Sequence, residues 1–165
     1  MTKELIARFW KDFPIPTQDE DPKFPYANPS DAARALIKAH NWVGTITETL
    51  IEKSETLKEF KNTLFSLDTK VEKMERIIFS QNPPPGWATK NKEMQKAYVW
   101  SQAEAGDLEL LQVMEDSRVT IRSQIFNVEK DIDLYNLMLK TLERSSEWLI
   151  SYINWAKFEL RMDNS

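Results

Sequence analysis

All eight prolines of this chain fall in two short segments, and this distribution limits the folds that the chain can adopt. Five lie between residues 13 and 30, and the other three belong to the run NPPPGW at residues 82–87. Proline removes a backbone donor and clashes with the preceding turn in a helix interior. The proline-free stretches 30–81 and 89–162 are therefore predicted to be helical, and the 13–30 segment is predicted to be an extended arm.

A seven-residue repeat runs through the first proline-free stretch. Apolar residues recur at one position of the repeat. Three residues after all but the last of them comes a second position, which is apolar in all cases but one. The first position holds Leu36, Val43, Leu50, Leu57, Leu64, Val71 and Ile78, and the second holds Ala39, Ile46, Lys53, Phe60, Leu67 and Met74. These are the a and d positions of a heptad. A strict seven-residue period predicts a left-handed supercoil with a neighbouring helix.

The second proline-free stretch repeats the pattern. One ladder holds Met114, Ile121, Val128, Tyr135, Leu142, Leu149 and Ala156, and the other holds Leu111, Ile125, Ile132, Leu139, Ile153 and Leu160. Arg118 and Ser146 interrupt the second ladder. Gly106 is expected to break the helical path, with Asp107 capping a restart. Residues 89–105 are then a separate shorter helix, with Thr89 as its candidate cap.

Two long helices joined by a short connection pack as antiparallel neighbours. The predicted fold is therefore all-α: a long antiparallel coiled-coil helical hairpin with an extended proline-rich N-terminal arm. A short helix and the arm occupy residues 1–30, and the hairpin occupies 31–165. The hairpin helices are predicted at 31–81 and 107–162, with a tip region at 82–106 between them.

The apolar stripes are wider than a strict two-position seam. Ile37, Ile51, Phe65 and Phe79 flank the first seam, and Leu110, Leu134 and Met138 flank the second. A stripe of this width predicts more than one packing partner, which is the N-terminal segment folding back, another copy of the chain, or both. We favour a homo-oligomer, and the alternative is a monomeric bundle of three or four helices.

Composition excludes several classes of function. The chain has no cysteine, one histidine and neither of the usual glycine-rich phosphate loops, so no metal site and no cofactor are expected. No apolar run approaches the ~20 residues of a membrane span, so we expect a cytoplasmic protein (host cytoplasm if viral) without a membrane partner. No carboxylate pair or Ser-His-Asp grouping stands out in the sequence, so we expect no enzymatic activity and no catalytic residues. The formal net charge of −4 argues against binding to nucleic acid through overall electrostatic attraction.

Aromatic residues gather near the C-terminal end of the second long helix. Trp148, Tyr152 and Trp155 lie four and three residues apart, on one helical face, with Arg144 one turn before them. A row of rings with a nearby cation suits single-stranded nucleic acid, because every base can stack on a ring. In the alternative interpretation these rings pack against three aromatic side chains of the N-terminal segment. Those three are Phe9, Trp10 and Phe13.

The tip region is the second candidate for a binding site. It has a positive balance of charge, and its candidate residues are Trp87, Lys90, Lys92, Lys96 and Trp100. Such a segment can contact phosphate or an acidic partner. The alternative is a solvated loop that is stiffened by its prolines.

Cations also occur inside the seams. Arg118 occupies an a position and Lys53 a d position. A cation in a seam is costly unless it is paired, and such residues often fix register or oligomeric state.

Two segments resemble known phage proteins. Asn136–Phe158, with its closing sequence INWAKF, resembles the final helix of the recombination-mediator proteins of tailed bacteriophages, which are helical, oligomeric and act on single-stranded DNA. KNKEMQKAYVW at Lys90–Trp100 looks like helical phage proteins of unassigned role. The resemblance implies contact with single-stranded nucleic acid by an oligomer. The acidic charge and the proline-rich arm of this chain depart from the pattern of that family.

These observations predict a non-enzymatic, oligomeric, helical accessory protein of phage type. It would act in nucleic-acid recombination or replication by binding single-stranded nucleic acid or a protein partner. Two alternatives are a structural or assembly protein of virion or scaffold type and an inhibitor of a host protein. In the assembly alternative, Phe9, Trp10 and Phe13 would dock the arm on a neighbour.

Overall fold

A computed structural model describes residues 3–12, 29–86, 88 and 91–162 of the chain. These residues form four helices: α1 (Lys3–Asp12), α2 (Pro29–Gln81), α3 (Lys92–Ser101) and α4 (Ala105–Met162). They include no strand. The long helices α2 and α4 pack together, which confirms the prediction of an all-α helical hairpin. Most of the predicted proline-rich arm, residues 13–28, lies outside the described residues.

Two helix starts differ from their predictions. α4 begins at Ala105, so Gly106 lies in its first turn and does not interrupt the path. The amide of Leu108 donates to the carbonyl of Glu104 at 2.8 Å, which closes this first turn. Asn91 is the cap of α3, and its side chain accepts from the amide of Met94 at 2.7 Å. The prediction of Thr89 as the cap was therefore wrong, and Asn91 is an equally good capping residue.

The heptad positions form the contact between α2 and α4. Every a and d residue of either helix whose side chain is described is buried or half-buried, and none is exposed. The two helices run antiparallel, because partners later in α2 meet residues earlier in α4. Lys61 contacts Glu129 at 2.9 Å, and Asp68 contacts Arg118 at 2.6 Å.

Contacts divide the chain into two compact units, and each has its own core. Unit 1 consists of residues 1–54 and 131–165, where α1 packs against the seam. Phe9 is fully buried there, with its ring 5.4 Å from the ring of Trp42 in an edge-to-face arrangement. The buried cluster consists of Phe9, Ala39, Trp42, Ile46, Tyr135, Met138 and Leu142. The N-terminal helix therefore folds back on its own chain, as one of the sequence alternatives predicted.

Unit 2 consists of residues 55–130, and α3 provides the third helix of its core. Val99 of α3 is buried together with Val71, Ile78 and Leu111. Half-buried side chains pack around this cluster, including Trp100 and Met114. The α3 part of the tip region is therefore folded into unit 2.

The apolar residues beside the seams are only partly used within the chain. Met138 is fully buried, and Phe79 and Leu134 are half-buried. By contrast, Ile37, Ile51, Phe65 and Leu110 stay more than half exposed. The short helices α1 and α3 therefore cover only part of the predicted stripe.

Candidate nucleic-acid and partner interface

The three aromatic residues near the C-terminus of α4 form a continuous row of rings. Trp148 and Tyr152 are stacked, with ring centroids 6.3 Å apart and ring planes 15° apart. Tyr152 and Trp155 follow at 6.1 Å with a 30° tilt. The spacing of four and then three residues keeps them on one helical face. We call Trp148, Tyr152 and Trp155 the aromatic row.

The last residue of the aromatic row is its most exposed member. Trp148 and Tyr152 are half-buried, and Trp155 is 53% exposed. An exposed aromatic residue next to other stacked rings provides a surface on which a further flat group can pack. A nucleic-acid base is such a group.

The alternative interpretation paired these rings with aromatic residues of the N-terminal segment. Phe9 belongs to the buried cluster around Trp42, and packing of the N-terminal aromatic residues on the aromatic row stays an alternative prediction. The side chain of Trp10 and the whole of Phe13 lie outside the described residues. The prediction that the arm docks on a neighbouring molecule stays a prediction.

The charge around the aromatic row is close to balanced. Residues 140–158 carry the cations Lys140, Arg144 and Lys157 and the acids Glu143 and Glu147. All five side chains are exposed. In a chain with a net charge of −4, this slight local excess of cations lets a phosphate approach without a large repulsion. It provides no strong electrostatic attraction, so any affinity for nucleic acid at this site comes mainly from stacking.

Two of the tip residues are engaged inside unit 2. The ammonium of Lys96 lies 5.0 Å from the centre of the Trp100 ring and 3.6 Å from the carboxylate of Glu115. The indole Nε1 of Trp100 donates to the carboxylate of Glu75 at 2.8 Å. These contacts hold α3 on the hairpin, and they give both residues a structural role.

The remaining tip candidates are only partly described. Lys92 is exposed at the start of α3. Trp87 and Lys90 lie outside the described residues. The structure therefore brings Lys96 and Trp100 together and leaves the other predicted tip contacts as predictions.

The cation Arg118 is paired twice in the seam of unit 2. Its guanidinium lies 2.6 Å from the carboxylate of Asp68 and 2.6 Å from that of Glu115. The Arg118 side chain is only 14% exposed, so the two carboxylates offset the cost of placing its charge in the seam. Sequence reasoning missed both partners. Glu115 lies three residues before Arg118 on the same helix and could have been found as an i,i+3 pair, whereas Asp68 follows from the antiparallel register once a single contact between α2 and α4 is known.

The second seam cation, Lys53, has an equivalent partner in unit 1. Its ammonium donates to the Asp131 carboxylate at 2.5 Å. This hydrogen bond raises the pKa of Lys53 above its usual value, while desolvation opposes the rise. Burial raises the pKa of the neighbouring Tyr135 hydroxyl, and the charge of Asp131 adds to the effect.

Two open grooves lie on the described surface, one in each unit. A groove of about 830 Å³ in unit 1 is lined by Val43 and by seven α4 residues that include Leu139, Lys140 and Glu143. A groove of about 440 Å³ in unit 2 is lined by Val113, Asp116, Ser117, Thr120 and Ile121. Among the described residues, no three acidic or histidine side chains are grouped in a way that could hold a metal ion.

Comparison with family models, with curated proteins and with solved structures found no match in any of the three. Within the described part of the chain, no helix has an apolar stretch long enough to cross a membrane.

Proposed function

We propose that this chain is a non-enzymatic helical accessory protein that binds single-stranded nucleic acid through the aromatic row. The observation that carries the proposal is the stack of Trp148, Tyr152 and Trp155, with the Trp155 ring more than half exposed. Arg144 and Lys157, both exposed on the same helix, are the cations nearest in sequence to the row.

The chemistry of single strands fits this arrangement. Unpaired bases expose their faces, and stacking on a protein ring contributes about 1–3 kcal/mol per base without regard to sequence. Two nearby cations neutralise at most two phosphates, so the nucleic acid releases few counterions on binding. The affinity is therefore expected to depend only weakly on salt. The proposed interface therefore prefers single strands to duplexes, whose bases are already stacked.

The biological setting follows from the resemblance to phage recombination mediators. The aromatic row lies inside the segment Asn136–Phe158, which carries that resemblance. A role in recombination or replication follows, in which the protein acts as an oligomer on single-stranded DNA or on a protein partner.

The test is a titration of a dye-labelled single-stranded oligothymidylate, followed by fluorescence anisotropy at low and moderate salt. Trp155→Ala is expected to weaken binding by about 5- to 150-fold, the equivalent of one stacked base. With two phosphate contacts, a plot of the logarithm of affinity against the logarithm of salt concentration is expected to have a slope of about −1.4. Phe126→Ala is the matched control, because Phe126 is an exposed ring on the same helix with a lysine, Lys130, 4.5 Å from its centre.

Each outcome decides between classes of function. Loss of binding in Trp155→Ala with binding retained in Phe126→Ala supports the proposal. Equal loss in both variants, or no binding by the unmodified protein at low salt, contradicts it. The alternatives of an assembly protein or an inhibitor of a host protein would then be pursued by partner capture.

A further inference from the structure

An exposed strip on α2 in unit 1 is almost free of charge. Its positions follow the spacing of a helix-packing surface, alternating three and four residues. The strip consists of Ile37, His40, Asn41, Gly44, Thr47, Glu48 and Ile51, and all seven residues are exposed. Ile37 is 64% exposed and Ile51 is 56% exposed, although both are apolar. We call this surface the Gly44 strip.

The Gly44 strip lies outside the core contacts that the described residues of unit 1 make. The a and d residues of α2 pack against α4, and α1 packs on the side of Trp42. Ile37, Gly44 and Ile51 each follow an a position by one residue, which places them on a different face of α2 from either contact. The groove beside Val43 borders this face.

The sequence of the strip is symmetric about Gly44. Ile37 and Ile51 lie seven residues before and after it. An antiparallel copy of α2 centred on Gly44 therefore places Ile37 of one protomer against Ile51 of the other, twice. The same register places His40 against Glu48 and Asn41 against Thr47, again twice. Apolar residues meet apolar residues, and the one carboxylate of the strip meets an imidazole, which donates to it whether neutral or charged.

Gly44 permits the two helices to approach closely. A Cβ built on this residue meets no other atom of the chain within 4 Å, so the space above it is open. The distance between packed helix axes depends on the side chains at the point of contact, and two glycines at the crossing give the shortest distance. Its neighbours in the strip, Asn41, Thr47 and Glu48, are polar enough to remain solvated in a single protomer.

We propose that the Gly44 strip is a homodimer interface, in which two copies of α2 pair antiparallel about a two-fold axis at Gly44. The occupant is a second copy because the strip is complementary to its own antiparallel image, as an isologous interface requires. An unrelated partner would not require this symmetry. The fifteen residues from Ile37 to Ile51 span about 21 Å of helix, so the contact belongs to the small interface class and the dimer is concentration-dependent.

This inference concerns the oligomer that the proposed function requires, and it rests on that function only for its biological purpose. The interface uses none of the residues of the aromatic row. All measurements below are made without nucleic acid, so failure of one proposal is distinguishable from failure of the other.

The first test uses cysteine cross-linking, because the chain has no cysteine of its own. Gly44→Cys places two thiols at the two-fold axis, and we expect an intermolecular disulfide under mild oxidation. A mixture of Ile37→Cys and Ile51→Cys chains is expected to form the mixed dimer in preference to either homodimer. Thr45→Cys is the matched control, since Thr45 is also exposed but lies about 100° around the helix from Gly44, away from the proposed two-fold axis. Cross-linking of Thr45→Cys as fast as Gly44→Cys would overturn the proposal.

The second test measures mass by light scattering over a series from about 1 to 300 µM. The unmodified protein is expected to approach twice the 19.4 kDa mass of one chain at the high end. Gly44→Arg and Ile51→Glu are expected to remain at the mass of one chain with unchanged helical circular dichroism, because both positions are exposed. Phe65→Glu, which removes a 74% exposed ring outside the strip, is expected to leave the dimer intact. A monomer throughout the series, or a dimer that survives Gly44→Arg and Ile51→Glu, would overturn the proposal.

Discussion

The ammonium of Lys53 donates to the carboxylate of Asp131 at 2.5 Å, and this contact links α2 to α4 inside unit 1. The Lys53 side chain is 28% exposed and that of Asp131 is 44% exposed, so water screens part of the attraction. The pair still fixes register, because a shift of one heptad would leave both charges without this partner. A polar residue at a single seam position commonly has this role in coiled coils.

We expect a double-mutant cycle on Lys53→Ala and Asp131→Ala to give a coupling of about 1 kcal/mol. The reason is the short, partly screened hydrogen bond between the two charges. Urea unfolding of the unmodified protein, the two single variants and the double variant measures the coupling. Lys61 and Glu129, at 2.9 Å in unit 2, are the control and are expected to give less, because the Lys61 side chain is 54% exposed against 28% for Lys53. A larger coupling for the exposed pair would contradict this account.

Stability is expected to fall as the pH rises above about 10. The folded-state pKa values of Lys53 and Tyr135 are both raised, the first by its hydrogen bond to Asp131 and the second by burial. A raised folded-state pKa means that the unfolded chain loses its proton first. The stability contributed by each group is therefore complete below its unfolded pKa and is lost as the pH rises through its folded pKa.

The variant Tyr135→Phe separates the contributions of the two groups. It removes the tyrosine titration from the folded core, so the decline of stability with alkaline pH is expected to become shallower. Urea unfolding at a series of pH values from about 8 to 11 measures the slope. An unchanged slope in Tyr135→Phe would show that the alkaline loss has another origin.

Removal of the Arg118 charge alone is expected to destabilise the fold, whereas its removal together with a partner carboxylate is expected to be tolerated. Arg118→Met leaves the carboxylates of Asp68 and Glu115 facing an apolar seam, at a cost of about 1–3 kcal/mol. Adding Asp68→Leu removes one of those charges and provides apolar contact, so most of the loss is expected to be recovered. Thermal unfolding of the single and double variants decides the point. A double variant as unstable as Arg118→Met would contradict the role of the paired charges.

The heptads predicted the hairpin because their signal is local and repeated. Apolar residues such as Leu36 and Val43 recur every seven residues, so one polar residue such as Lys53 or Arg118 does not hide the period. Helix starts were less certain, because they depend on one or two residues. Thr89 and Asn91 are both good caps, and Gly106 is tolerated in the first turn of α4.

Contacts between helices could not be read from the sequence in the same way. The partners of Arg118 and Lys53 on the facing helix, Asp68 and Asp131, depend on the register of α4 against α2, which periodicity leaves open in steps of seven residues. Lys96 and Trp100 had the composition of a binding site, but the docking of α3 on unit 2 engages them with Glu115 and Glu75. The aromatic row followed from helical spacing alone, since all three rings lie on one helix.

Phe9 is expected to be the residue that holds α1 on unit 1. Its ring is fully buried and packs edge-to-face on Trp42, so Phe9→Ala removes a large apolar surface and leaves a cavity. The expected cost is about 3–5 kcal/mol if the unit unfolds as a whole. Urea unfolding measures this cost, and hydrogen exchange of the α1 amides reports whether the helix detaches locally. Arg8→Ala, an exposed change one residue earlier, is expected to have little effect.

Gly44→Ala is expected to separate the stability of a single chain from its association. A helix-interior glycine costs roughly 0.5–1 kcal/mol relative to alanine, and the added methyl group meets nothing within 4 Å. Urea unfolding at low protein concentration, where the chain is monomeric, is therefore expected to show stabilisation of about that size. Light scattering at high concentration is expected to show weaker association, because the methyl groups of two chains meet at the proposed axis. Destabilisation of the monomer would show that Gly44 is needed for the conformation of α2 itself, whereas stabilisation with unchanged association would place the dimer contact elsewhere.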